Sequence, residues 1–167
     1  MPERTFIELL YGKSAHANPV ACVEDVCFDL AGKRPVHFQH SIWQLVSHVN
    51  YWMDYELRRI HGEMPAYPAH AAESWPVHTA PASEMEWRKA VTQFKDSLAQ
   101  MAALAESTPE ILAREVPATH PDHKKHSSSL QAVLWQTLVH NSYHVGQIAM
   151  LRRALDAWPP AGGGDSW

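Results

Sequence analysis

The sequence predicts an all-α fold, an antiparallel four-helix bundle, from three observations. Three long stretches contain no proline: those between Pro35 and Pro65, between Pro81 and Pro109, and between Pro121 and Pro159. Apolar residues recur in them at intervals of three and four, and no stretch alternates long enough to indicate a strand. Proline is excluded from helix interiors because it lacks an N–H and clashes with the preceding turn. Helices that each bury one face pack most simply as an antiparallel bundle.

Two helices are expected in the middle of the chain, over 41–61 and 83–106. The first begins at Ser41, a residue type that caps helix N-termini, and its end is marked by Gly62. The second opens on Ser83 with a glutamate three residues later, the spacing of a capping box. Both segments carry an apolar seam at helical spacing and are therefore predicted to face the core.

The chain termini give less uniform patterns. The last long helix is expected over 127–156, where three serines precede a run of leucines at helical spacing. Residues 3–11 predict a short helix, and Gly12–Pro19 a break. A further helix is predicted over 20–31, before a glycine. The predicted bundle thus consists of these four helical units, with an interrupted first unit.

The composition predicts one domain and few classes of partner. The 167 residues, 46% of them apolar, indicate a single core over 1–158, followed by a flexible tail over 159–167. A net charge of −4 and basic residues that occur only in pairs argue against nucleic acid as a partner. Acids near the N-terminus and the lack of a long apolar run predict a cytoplasmic protein with no membrane contact. Cys22 and Cys27, five residues apart, are expected to be reduced, packed thiols.

Three of the twelve histidines differ from the rest because they lie well inside predicted helices: His48, His140 and His144. Residues four apart in a helix share a face, with Cβ atoms roughly 5–6 Å apart, so His140 and His144 can reach one ion. If the helix of His48 is a neighbour, three imidazoles can converge. Three histidine ligands leave one metal position for water or substrate, as in catalytic zinc-type sites.

A polar interruption in the last helix favours the same interpretation. One face of that helix is apolar at both ends, but its middle carries Thr137, His140, His144 and Gln147. Burying such groups unpaired costs about 1–3 kcal/mol each, a cost that metal coordination offsets. The alternative is that the histidines are hydrogen-bonded core residues, which predicts no bound metal.

Other metal sites are less consistent with the sequence. No Glu-x-x-His and no His-Glu-x-x-His occurs, so the ligand pairs of di-iron carboxylate bundles and of zincin proteases are missing. His120, His123 and His126 lie in a polar loop and are expected to be solvated. Imidazole suits several divalent ions, with zinc or nickel as first choices and manganese or iron as alternatives.

Two segments resemble the DinB/YfiT-like family. These are Ser41-Ile-Trp-Gln-Leu-Val-Ser-His-Val-Asn-Tyr-Trp52 and His140-Asn-Ser-Tyr-His-Val-Gly-Gln-Ile148. Trp75-Pro76 is similar to the middle region of the family, and the similarity as a whole covers roughly residues 36–156. The resemblance implies a four-helix bundle of the DinB type and a divalent metal held by His48, His140 and His144. It also implies a homodimer, and an activity like that of thiol-dependent transferases and isomerases or metal-dependent hydrolases.

The expected function is a metal-dependent enzyme acting on a small molecule, with a low-molecular-weight thiol as a possible cosubstrate. A metal-held thiol would serve an S-transferase-like reaction, and metal-held water a hydrolase. Gln147, Asn141 and Tyr143 are candidates to orient the ligands, with Gln147 best placed. No general base is assigned. The competing prediction is a non-catalytic metal-binding bundle of the stress response, distinguished by a protein ligand that closes the fourth position.

Overall fold

A computed structural model describes residues 2–119 and 127–164, with side chains from Thr5 onward, and this part of the chain is mainly α-helical. The helices are α1 (Pro2–Leu10), α2 (Ala21–Glu24), α3 (Phe28–Ala31), α4 (Ile42–Ile60), α5 (Glu84–Ala105), α6 (Pro109–Leu112) and α7 (Leu130–Ala154). A 3₁₀ turn covers Ala71–Ser74. Two residue pairs, β1 (Glu115–Val116) and β2 (Ser128–Ser129), form a short antiparallel ladder. The predicted all-α class is confirmed.

The core lies between the longer helices. α4 packs against both α5 and α7, and α1 packs against α5 and α7. The largest fully buried side chains come from α4, α5 and α7: Ile42, Leu45, Met53, Ile60, Trp87, Phe94, Leu98, Met101, Leu130, Leu134, Ile148 and Leu151. The contact between α4 and α7 matters most for function, because these are the helices that carry the three singled-out histidines.

The predicted bounds of α4 and α5 are confirmed to within one residue at each end. A full capping box forms at α4, where Ser41 Oγ accepts from the Gln44 N–H and Gln44 Oε1 accepts from the Ser41 N–H, both at 3.1 Å. At α5 only half of the predicted box is present. Ser83 Oγ accepts from the Glu86 N–H at 3.2 Å, whereas the Glu86 carboxylate accepts from the Ala82 N–H.

The single helix predicted over 20–31 is wrong, because the segment forms two short helices, α2 and α3. The Val26 carbonyl accepts a hydrogen bond from Trp87 Nε1 at 2.7 Å, and this tertiary contact replaces its helical partner. The break also separates the two thiols. Cys22 is fully buried, and burial raises the pKa of its thiol to about 11. Cys27 is exposed, so the expectation that it packs inside was wrong.

The last helix starts later than predicted, at Leu130 rather than at residue 127. The preceding serines instead pair with Glu115–Val116 as β2, and the Leu130 N–H donates to the Arg114 carbonyl at 2.8 Å. Ser129 then caps α7 by accepting from the Ala132 N–H at 3.2 Å. The predicted solvation of His120, His123 and His126 concerns residues outside the described part of the chain.

An ion pair between the buried Arg152 and the more exposed Asp25 holds α7 to the N-terminal segment. Arg152 is 3% exposed and forms two hydrogen bonds to the Asp25 carboxylate, while its Nη1 also donates to the Cys22 carbonyl at 3.0 Å. Asp25 accepts a further bond from the Ala161 N–H at 2.7 Å, beyond the end of α7.

The single domain over 1–158 and the flexible tail remain predictions. Among the described helices, none combines the length and apolar character required to cross a bilayer.

Candidate metal centre

α4 and α7 bring His48, His140 and His144 together. One ring nitrogen of each lies within 4.8 Å of those of the other two, and His48 Nε2 is 3.3 Å from His140 Nε2. His48 and His144 are 7% and 5% exposed. Within residues 2–119 and 127–164, no other group of three or more His, Cys, Asp or Glu side chains has potential ligand atoms so close.

The spacing of the nitrogens fits a tetrahedral ion. Zinc–nitrogen bonds of about 2.0–2.1 Å at a tetrahedral angle place two ligand nitrogens about 3.3–3.4 Å apart. The His48–His140 separation of 3.3 Å has this value. The remaining nitrogen distances reach at most 4.8 Å, so small side-chain movements bring the third ring to the same separation.

Hydrogen bonding fixes the tautomer of His48. Its Nδ1 lies 3.0 Å from Ser74 Oγ and 3.3 Å from the Ser74 carbonyl oxygen. A carbonyl only accepts, and the Ser74 hydroxyl already donates to the Ala71 carbonyl at 2.7 Å, so His48 Nδ1 carries the proton. The lone pair of the neutral ring is therefore on Nε2, which faces the cluster. Such an outer partner of a histidine orients the ring of a metal ligand.

Gln147 orients His144 in the same way. The Gln147 Oε1 atom lies 3.4 Å from His144 Nδ1 and accepts from it, which leaves the Nε2 lone pair of the neutral ring free. Gln147 follows His144 by three residues on α7, as its predicted orienting role requires. Hydrogen bonds to groups outside the cluster thus leave the Nε2 lone pair of two of the three rings free to coordinate a metal.

Electrostatics keeps the rings neutral. Burial, followed by the like charge that a protonated His144 or His140 would bring, lowers the pKa of His48 to about 4. Burial, followed by repulsion from His140, lowers the pKa of His144 to about 4. Burial also lowers the pKa of His140. Neutral imidazole is the form that coordinates a metal, so the donor set suits a divalent ion at neutral pH without prior loss of protons.

Aromatic side chains cover the cluster. The ring of Trp75 stacks on His48 with centroids 3.8 Å apart and planes at 8°. Its other face stacks on His40, also at 3.8 Å. Trp52 lies edge-on to His48 at 6.5 Å. These apolar surfaces limit the access of water to the ligand nitrogens, and they contribute to the desolvation that keeps the rings neutral.

A family model described as the DinB superfamily matches residues 15–148, a range that includes all three histidines. The chain belongs to the DinB superfamily. The family resemblance of the two histidine segments is thereby confirmed. No curated protein and no solved structure matched the chain, so assignments beyond the family rest on the site itself.

The other predicted site residues of this DinB-superfamily chain have different surroundings. Thr137 donates to the Val133 carbonyl at 2.9 Å and needs no further partner. Tyr143 is exposed, but its ring lies 5.0 Å from that of His144. Asn141 is buried and donates to Met53 Sδ at 3.2 Å, and a hydrogen bond of its side chain opposes the lowering of the pKa of His140 that burial causes, so its orienting role stays a prediction.

Sequence reasoning missed Ser74 and His40, and it assigned Trp75 only to a family-like segment. All three lie in connections rather than in long helices, where no periodicity identifies which residues face inward. The Trp75-Pro pair, similar to the middle region of the family, was the one available signal. The pair alone does not indicate that the Trp75 ring stacks between two imidazoles, as it does in the structure.

Two separate cavities reach the histidine cluster. Cavity A, of about 430 Å³, includes His140 in its wall and is lined by the rings of Trp52, Tyr55 and Tyr67. Cavity B, of about 340 Å³, includes His144 and is lined by residues such as His40, Trp75, Tyr143 and Gln147. The two cavities share no lining residue, and His48 lines neither. The cluster is therefore accessible from two sides.

Proposed function

We propose that this DinB-superfamily protein is a metal-dependent enzyme in which His48, His140 and His144 hold one divalent ion, zinc or nickel in the first place and manganese or iron as alternatives. This proposal rests on the convergence of three neutral imidazoles, two of which have an Nε2 lone pair free to coordinate the metal. We further propose that the four longer helices α1, α4, α5 and α7 form an antiparallel four-helix bundle of the DinB type around the site.

The activity that we propose is an S-transferase-like reaction on a small molecule. A bound divalent ion lowers the pKa of a coordinated thiol or water and so supplies a nucleophile at neutral pH. The thiol would lose its proton to solvent, its sulfur would form a bond to the electrophilic atom, and the leaving group would depart with the electron pair of the broken bond. Ser74 keeps the ring of His48 in its orientation during this reaction, and Gln147 does the same for His144. Trp75 and Trp52 shield the cluster from bulk water.

Hydrolysis is the second candidate activity, since the same ion would activate water. A non-catalytic metal-binding module of the stress response is the alternative in a different class. In the part of the chain that the structure describes, no Cys, Asp, Glu or further His side chain joins the three histidines. The two cavities reach the cluster where a fourth protein ligand would otherwise close it. Both observations support catalysis.

We also propose a homodimer, formed through the outer face of α7. Val139, Tyr143 and Met150 are 62%, 67% and 60% exposed, and they lie on one side of this helix. Gly146 sits between them, and a Cβ added there would meet no atom within 4 Å, so a second helix can approach closely. Light scattering on the parent protein and on a Tyr143→Glu/Met150→Glu variant tests this: the variant should have half the mass of the parent.

The experiment that tests the metal site is elemental analysis of protein purified without chelator. The parent should carry close to one equivalent of a divalent metal. His140→Ala and His144→Ala should carry almost none while they keep their helical circular dichroism. His61→Ala, which removes an exposed histidine just after α4, is the matched control and should keep its metal. Unchanged metal content in both cluster variants would refute the proposal.

A second experiment separates the activities. The metal-loaded protein is incubated with a generic electrophile, with and without a panel of low-molecular-weight thiols. Consumption of the electrophile that requires the thiol supports the transferase, and hydrolysis of an ester without any thiol supports the hydrolase. Bound metal with neither reaction supports the non-catalytic module.

A further inference from the structure

We infer that the small-molecule substrate that reaches the metal centre through cavity A is elongated and neutral, with an aromatic body and an unsubstituted amide at the end remote from His140. This inference rests on the proposed metal-dependent function and names the substrate class of that same site. Its basis is that cavity A combines His140 of the cluster with a group of aromatic rings and a nearly buried ion pair.

The α4 wall gives cavity A its length. Four residues of this wall are spaced by three or four positions and therefore share one face of the helix: Trp52, Tyr55, Glu56 and Arg59. Trp52 lies at the metal end, because its ring centroid is 6.5 Å from that of His48. Arg59 comes two turns after Trp52, and at a rise of 1.5 Å per residue its Cα lies about 10 Å further along the helix axis. Cavity A thus extends from the metal centre to a remote end formed by Glu56 and Arg59.

The remote end offers hydrogen bonds that the described part of the chain does not use. Arg59 donates to Glu56 Oε2 at 2.7 Å, and twice to the Pro117 carbonyl at 3.1 and 2.8 Å. A guanidinium has five N–H groups, so two of them have no acceptor among the described residues. Glu56 Oε1 accepts no hydrogen bond there either, yet it is not enclosed and can be reached from the cavity. Both side chains are only 11% and 13% exposed, and polar groups at such burial are normally paired.

The ion pair selects a neutral group that has a donor next to an acceptor. A carboxylate ligand would meet the like charge of Glu56, and an ammonium group that of Arg59. In an unsubstituted amide, one N–H lies on the same side as the carbonyl oxygen. The N–H can donate to Glu56 Oε1 while the carbonyl accepts from Arg59. Burial raises the pKa of Glu56 more than Arg59 lowers it, so a further donor to its carboxylate would stabilise the charged form.

Between the ion pair and the metal end, the wall of cavity A is aromatic. The ring centroids of Trp52, Tyr55 and Tyr67 lie 5.4, 5.6 and 5.8 Å from one another, and their planes are inclined by 51° to 82°. A planar ligand can make offset or edge-to-face contacts with more than one of these rings. Cavity B differs, since its described lining is mainly apolar, contains no carboxylate, and includes a Gln147 whose amide oxygen already accepts from His144.

Three ligands that differ by one group each provide the test. Benzamide carries the aromatic ring and the unsubstituted amide. Acetophenone keeps the ring and the carbonyl but has a methyl group in place of the NH₂, and cyclohexanecarboxamide keeps the amide but not the aromatic ring. Binding is followed by ¹⁹F spectra of protein labelled with 5-fluorotryptophan, in which Trp52→Phe and Trp75→Phe assign one signal for each cavity. The fully buried Trp87 is the internal reference.

We expect benzamide to shift the Trp52 signal and to leave that of Trp75 in place. It should bind at least about tenfold more tightly than acetophenone, the factor for a hydrogen bond to a charged group, and roughly 2- to 10-fold more tightly than cyclohexanecarboxamide. Equal affinity for benzamide and acetophenone would overturn the amide assignment, and equal affinity for benzamide and cyclohexanecarboxamide the aromatic one. If benzamide shifts only the Trp75 signal, or none, the assignment to cavity A is wrong.

A matched pair of glutamate variants gives an independent measurement. Glu56→Gln removes the carboxylate of the remote end and should remove most of the preference for benzamide over acetophenone. Glu63→Gln, which changes an exposed glutamate paired with Arg58 at 2.6 Å, should keep that preference in full. The same preference in both variants would contradict recognition by Glu56. If Glu56→Gln does not fold, as judged by circular dichroism, the three ligands on the parent protein still decide.

The titration is carried out on metal-free and on zinc-loaded protein, which separates this inference from the proposed function. Benzamide spans only the part of cavity A remote from the metal, so its affinity should be similar in both forms. Bound metal without benzamide binding would refute the inference and leave the metal-dependent function standing. Benzamide binding by a protein that takes up no metal would refute the metal-dependent function, and with it the assignment of the amide as a substrate.

Discussion

Replacing Ser74 by alanine tests whether a residue outside the cluster sets its affinity for metal. The hydroxyl of Ser74 accepts from His48 Nδ1 at 3.0 Å and donates to the Ala71 carbonyl at 2.7 Å. Loss of such an outer partner typically costs 10- to 100-fold in metal affinity. The Ser74 carbonyl, 3.3 Å from the same Nδ1, survives the substitution as an alternative acceptor. We therefore expect a loss at the lower end of the range, about tenfold.

The measurement is zinc affinity, obtained by competition with a chromophoric chelator. The matched control is Ser97→Ala, which removes another buried serine hydroxyl, on α5. Long-range ¹H–¹⁵N spectra of the metal-free parent should show His48 with its proton on Nδ1. If Ser74→Ala binds zinc as tightly as the parent, or loses no more affinity than Ser97→Ala does, the orienting role of Ser74 is refuted.

Three further predictions concern stability. Removal of metal by a chelator should leave the helical circular dichroism largely intact and lower the melting temperature, because the metal stabilises a site that is already formed. The folded-state pKa values of His48 and His144, about 4, lie below the ordinary value of 6.5, so the unfolded chain takes up protons first as the pH falls. Urea unfolding of the metal-free protein should therefore give a free energy of unfolding that is constant above about pH 7 and declines between about pH 6.5 and 4. In a His48→Asn/His144→Asn variant this decline should be much smaller. Arg152→Met removes a buried guanidinium that donates to the Asp25 carboxylate and to the Cys22 carbonyl, and should lower the unfolding free energy by about 1.5–3 kcal/mol, whereas Arg153→Met, which removes a surface contact to an indole, should cost less than about 1 kcal/mol.

The long helices and the three histidines could be predicted from the sequence because both follow helical geometry. Proline-free segments with an apolar seam predicted α4 and α5 to within one residue. The four-residue spacing of His140 and His144 placed both on one face of α7, as the structure has them. Helix periodicity carries this information locally, so no knowledge of the partner helix was needed.

Features that depend on tertiary contacts could not be predicted in this way. The break between α2 and α3 follows from a hydrogen bond between Val26 and Trp87, residues 61 positions apart. α7 starts late because the residues just before it pair with β1 in an antiparallel ladder. Each strand of this ladder has only two residues, too few to show the alternation of apolar and polar residues that predicts a strand. Ser74 reaches His48 from a 3₁₀ turn 26 residues later in the chain, and only the fold brings them together. Local patterns determine the helices, whereas connections determine what surrounds the site.

The polar side chains in the middle of α7 find almost all of their hydrogen-bond partners within the protein. This affects how metal binding is coupled to folding. Thr137 donates to the backbone of its own helix, His144 donates to Gln147, and His140 lies within hydrogen-bonding distance of His48. The cost of burying these groups is therefore largely offset without any ion. In small zinc domains, by contrast, metal binding supplies the folding free energy. A cluster that is hydrogen-bonded, neutral and shielded before the metal arrives is preorganised, so the binding energy of an ion is available for affinity and for activation of its ligand rather than for folding of the chain.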